Sequence, residues 1–169
     1  MRCKVCKGAF VPERFLQKTC SLECAIEFTK QKKEKDWALR KTALKDELKT
    51  HSDWVEEVQK IFNEYVRLRD KDLGCVSCGV KSGVQFHAGH YRTTASCPEL
   101  RFNELNVWKQ CAQCNNFLSG NLISYRFELV QRIGVEKVEW LEGKHDPVKY
   151  SIPELIQLKV KYRRKIKDL

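Results

Sequence analysis

An α+β fold stapled by metal is predicted by three features of this chain. Eight of its nine cysteines fall into two quartets at metal-ligand spacing. One short stretch alternates apolar and polar residues like a strand, whereas most of the remainder repeats at helical intervals. Finally, 169 residues with 42% hydrophobic content can bury one modest core or two small ones, and modules of that size need staples.

The first module spans residues 1–28. MRCKVCKGAFVPERFLQKTCSLEC places Cys3 and Cys6 as CxxC and Cys20 and Cys24 as CxxxC, thirteen residues apart. That spacing suits one tetrahedral Zn2+, with Gly8 expected to relax the turn after the first pair. Two disulfides would use the same residues. However, no apolar leader precedes MRCKVCK and no run is long enough to cross a bilayer, so a reducing, cytoplasmic setting without membrane contact is expected.

Residues 29–72 form a second segment. Up to Thr50 the chain lacks Gly and Pro and is rich in Lys, Glu, Ala and Leu, with Trp37, Leu44 and Leu48 at helical intervals. So sparsely apolar a helix either bridges modules or lays a basic face on a partner. In SDWVEEVQKIFNEYVRLRDKDL, Ser52 is placed as N-cap, and Trp54, Val58, Ile61, Tyr65 and Leu68 form a core face.

Residues 73–122 hold the second quartet, Cys75 and Cys78 with Cys111 and Cys114. Between the pairs, Val84, Phe86 and Ala88 alternate with Gln85 and His87 in a short half-buried strand that ends at His90. Asn106 precedes the second CxxC and Asn115 follows it, entering a segment able to start a helix. Four thiolates close a zinc site and leave no position for substrate, so any chemistry falls to the residues that the clamp holds, His87 and His90 first. Cys97, without a partner at ligand spacing, reads as a buried thiol. The four tryptophans, Trp37, Trp54, Trp108 and Trp140, read as packing residues.

Residues 123–169 read as helices closed by glycine, a turn at HDP, and a basic C-terminal helix capped by Ser151 with Glu154 completing a capping box. Lys161, Arg163 and Arg164 lie on that last helix and are expected to contact DNA. The net charge of +10 is concentrated at the ends: residues 1–50 carry 13 Lys/Arg against 7 Asp/Glu and residues 149–169 carry 7 against 2, while the middle is near neutral. Basic flanks around a neutral centre suit a chain that grips a polyanion.

GHYR followed by NVWKQCAQCNN resembles the HNH, or ββα-metal, nucleases, with His90, Asn106 and Asn115 at the three signature places. CVSCG, AGHYRTT, LRFNE, KQC, CN and SGNL, together with the N-terminal quartet and charged spacer, resemble the NinG/Rap recombination endonuclease family of lambdoid phages. The resemblance implies hydrolysis of DNA phosphodiesters in branched recombination intermediates such as Holliday junctions, D-loops and flaps. His90 would be the general base, Asn115 and His87 ligands of a catalytic Mg2+ or Mn2+, and Asn106 a brace for the hairpin. Arg92, Arg101 and Lys109 would contact phosphates. The chain departs from the common pattern at Gly89, where an acidic ligand usually precedes the histidine. His87 replaces that ligand only if Ala88 and Gly89 form a bulge, because residues three apart on a regular strand face opposite sides. A homodimer would suit a two-fold substrate, though no residue singles it out. Two other classes remain open: a non-catalytic two-zinc nucleic-acid-binding module on a degenerate HNH scaffold, and an adaptor that binds a protein through its charged helices.

Overall fold

The computed structural model describes all of residues 1–169, which divide into two compact units, Met1–Lys49 and Thr50–Leu169.

In the first unit the cysteine-bearing loops lead into α1, Leu22–Glu47, capped by the Ser21 hydroxyl, which accepts from the Cys24 amide. None of its 26 residues is buried, as its sparse apolar content requires. The turn after the first CxxC does not use Gly8. Lys7 takes the left-handed conformation, with φ 61°.

The second unit opens with α2, His51–Arg69. Its N-cap is Thr50 and not Ser52, because Asp53 at the third helical position returns a bond to the Thr50 amide and completes a capping box. The core face comprises Trp54, Val58, Phe62, Tyr65 and Val66. Leu68, expected on that face, is exposed, and Ile61 lies at its margin. A single 4/3 stripe is too narrow here, since α2 packs against both α5, Ile152–Lys167, and the sheet.

The sheet is one antiparallel pair, β1 Phe86–His90 and β2 Val107–Cys111. Val84 falls outside it and is exposed. A π-helical turn, Gln113–Phe117, follows β2, and Ser119, Gly120 and Asn121 all have positive φ before α3, Leu122–Ile133. Then come α4, Val135–Glu142, and α5, whose Ser151/Glu154 capping box forms as the sequence predicts.

Two apolar clusters flank the sheet. One joins the α2 core face to Phe102, Val107, Leu155 and Tyr162, with Ala88 packed against it. The other joins Val76, Tyr91 and Leu100 to Tyr125 and Leu129 of α3 and Val138 and Leu141 of α4. Trp54 is buried, and the guanidinium groups of Arg69 and Arg132 lie over the Trp108 ring, 4.4 and 5.2 Å from its centre. Trp37 and Trp140, expected to pack, are 63% and 50% exposed. No helix is long and apolar enough to cross a membrane.

Candidate functional site

Both cysteine quartets are assembled. In each, the four sulfurs lie within 4.8 Å of one another, and all nine cysteines are free of disulfides. Tetrahedral Zn2+ with bonds of ~2.3 Å needs sulfurs about 3.8 Å apart. Cys6 and Cys20 are separated by 3.5 Å, Cys20 and Cys24 by 3.7 Å, and Cys78 and Cys111 by 3.7 Å.

The chemistry of the donors agrees. Burial raises the Cys75 thiol, but amide N–H groups of Cys111, Cys78 and Ser77 outweigh it and bring the thiol down to about 7. Cys114 is pushed up to about 12, by burial and by the sulfurs beside it. Four sulfurs this close cannot all ionise unless a cation sits among them, and two such groups fit two zinc ions.

The two CxxC turns share one geometry. The Cys3 and Cys75 amides donate to the carbonyls of Gly8 and Val80, and the Lys7 and Gly79 amides return bonds to the Cys3 and Cys75 carbonyls. Lys7 and Gly79 hold equivalent left-handed positions, with φ of 61° and 76°.

The second clamp ties together the ends of the segment that carries His90 and Asn106, with Asn115 just beyond it. His90 ends β1 and, with Thr93, Thr94, Asn115, Ser119 and Leu122, lines a cleft of about 450 Å³. Its Nε2 lies 3.0 Å from the Arg101 carbonyl. A carbonyl only accepts, so Nε2 carries the proton of the neutral ring and Nδ1 is the free lone pair. Burial holds the imidazole below its ordinary value of 6.5, and the nearby Arg101 guanidinium adds to that effect against the opposing pull of the carbonyl bond. His90 is therefore neutral near pH 7.

Asn106 is wholly buried. Its amide donates to the carbonyls of Arg92 and Leu100, and its Oδ1 accepts from the Arg92 N–H at 2.8 Å, so it braces the loop between the strands. Asn115 donates Nδ2 to Asn116 Oδ1, leaving its own Oδ1 available in the cleft.

His87 does not join them. The register runs without interruption from Phe86 opposite Cys111 to His90 opposite Val107, so the bulge that convergence required is absent and His87 faces away from His90. Its Nε2 is buried without a partner. Gly89 shares that far face, where a Cβ would lie 2.2 Å from Gln110 Oε1 and 2.9 Å from Gln110 Cβ. A carboxylate at this position has no room. No carboxylate lines the cleft, so these residues alone make no preformed Mg2+ or Mn2+ site.

The expected phosphate contacts divide. Lys109 is a correction: its ammonium is buried, donates to the Lys71 carbonyl at 3.0 Å and lies 4.7 Å from the centre of the Phe86 ring. Arg92 directs Nε and Nη2 at the buried Cys97 sulfur, both at 3.3 Å. Arg101 is half-buried beside His90. Lys161, Arg163 and Arg164 are exposed on α5, with Lys161 3.7 Å from Glu104 and Arg163 3.8 Å from Glu57. Thr93, Thr94 and Ser119 escaped the sequence reading, although the Thr–Thr pair three residues beyond His90 was a usable signal.

No solved structure matches this chain. A family model described as "Bacteriophage Lambda NinG protein" matches residues 1–169. "Protein ninG" of Escherichia phage 933W and that of Escherichia phage lambda are each 40% identical to the chain, over 99% of its length and 92% of theirs. The Salmonella phage P22 protein of the same name is 38% identical, over 99% of this chain and 93% of its own. With the match running from the first cysteine clamp through α5, the chain belongs to the NinG family of bacteriophage proteins.

Proposed function

We propose that the protein is a metal-dependent DNA endonuclease of the ββα-metal type, acting on branched recombination intermediates such as Holliday junctions, D-loops and flaps. The observation that carries this reading is His90: a neutral imidazole whose Nε2–H is held by a backbone carbonyl, with Asn115 in the same cleft. A base so fixed takes a proton from attacking water at Nδ1 without changing tautomer. The Arg101 guanidinium, whose charge acts on His90 and whose Nη1 lies 3.4 Å from Gln59 Oε1, would turn to a scissile phosphate when DNA is bound. Asn115, through Oδ1, is the residue of this cleft that would hold Mg2+ or Mn2+, which would supply charge neutralisation. The branched substrate rests on the family resemblance.

Cleavage of synthetic junction, flap and linear duplexes, with and without Mn2+, tests the proposal. His90→Ala should lose ~10²–10⁴-fold in rate at every metal concentration while still binding DNA. The missing carboxylate and the averted His87 favour a second reading, a nucleic-acid-binding module without catalysis. Wild-type protein that binds junctions but leaves them intact with every divalent ion would establish that reading instead.

A further inference from the structure

The α1 helix carries a feature that the cleft does not use. Lys30, Lys33, Trp37 and Lys41 succeed one another at steps of three and four residues, and Ile26 and Leu44 continue the same line at either end. Such steps place them in a single stripe along the helix. Glu23, three residues before Ile26, places a carboxylate on this line, and its Oε2 accepts from the Ser21 hydroxyl at 3.2 Å. Glu34 lies one turn beyond Lys30, yet none of the three lysines is in an ion pair, and all three are exposed. Ile26 and Trp37 are each 63% exposed and Leu44 55%. Apolar and cationic groups thus share one face, a pattern that packing against a core would not produce.

We infer that this stripe is a docking face for the sugar-phosphate backbone of a nucleic acid, with Lys30, Lys33 and Lys41 as phosphate contacts and Trp37 between them. From Lys30 to Lys41 the helix rises about 16 Å. That is close to the separation of the phosphate ridges bounding a major groove ~12 Å wide. A second copy of the chain fits less well, because two-fold pairing of the stripe would set lysine against lysine. The identity of the partner rests on the DNA reading above, but the inference does not require catalysis.

The test is binding of the full-length protein to a labelled junction and a labelled duplex without Mg2+ or Mn2+, over a range of salt concentrations. K30Q/K33Q/K41Q is compared with K18Q/K32Q/K35Q, which removes equal charge from the opposite face of the helix and from the loop before it. Gln is a good helix former and all six positions are exposed, so both variants should fold and keep their zinc. The slope of log K against log salt should fall by about three for the stripe variant, near 0.9 per phosphate contact, and by less than about one for the control. Equal losses in the two variants would show only a net-charge effect and overturn the inference. So would a wild-type dimer that Trp37→Ala splits while the salt slope stays unchanged. Wild-type protein that binds neither DNA would sink the DNA reading itself, a result distinct from either.

Discussion

His90 has one ring nitrogen committed to the Arg101 carbonyl, so its chemistry depends on the other. Only the neutral ring can accept a proton, and burial holds its value below 6.5, so kcat/KM should decline on the acid side only beneath that pH. Arg101→Gln keeps the carbonyl but removes the cation that helps depress His90, and a pH–rate profile should show the acid limb moving upward. A limb that stays in place would separate Arg101 from the base. That His90 and Asn115 share a cleft and that Asn106 braces the loop could be anticipated, because spacing fixes their order along the chain. Lys109 was not. Its burial depends on the Lys71 carbonyl and the Phe86 ring, which reach it only in the folded state. The role of His87 was equally hidden, since strand register decides which way a side chain points and a one-residue bulge would have reversed it. Here Gln110 fills the space that a side chain at Gly89 would need.

Among the elements, periodicity and caps served well where one neighbour decides the outcome and less well where two do. The Ser151/Glu154 box formed as read, whereas at α2 the capping box with Asp53 selected Thr50 over Ser52. Phe62 and Val66 were missed because α2 is covered from two directions. Tyr162 was missed on α5, yet it is buried with Leu155 against α2 and donates to the Phe102 carbonyl at 3.0 Å. Deleting residues 151–169 would therefore open the core, so the basic residues of α5 must be studied by point substitution. The paired CxxC turns offer a sharper prediction. A left-handed residue with a side chain costs roughly 1–2 kcal/mol, and Lys7 occupies a position that its counterpart in the second clamp fills with Gly79. Lys7→Gly should tighten the first metal site by about fivefold, near 1 kcal/mol, in competition with a chromophoric chelator. Weaker binding would mean that the Lys7 ammonium, 3.1 Å from the Lys4 carbonyl, matters more than the backbone.

For the molecule as a whole, composition foretold a chain too small to hold together without staples, and the two units each contain one cysteine clamp. Composition could not distribute the burial. Trp37, one of the largest side chains of the first unit, contributes nothing to a core, while Gln110 and Asn106 are buried completely in the second. The absence of any buried residue in α1 bears on hydrogen exchange. An amide there is shielded only by its own helical bond, and an isolated helix of this length opens at little free-energy cost. In the free protein the α1 amides should exchange orders of magnitude faster than those of α2, whose core face is sealed by α5. Adding DNA should slow exchange most around Lys30–Lys41, and deuterium uptake read by mass spectrometry would map that change peptide by peptide. A helix with no interior of its own thus records, in its exchange rates, whatever comes to lie along it.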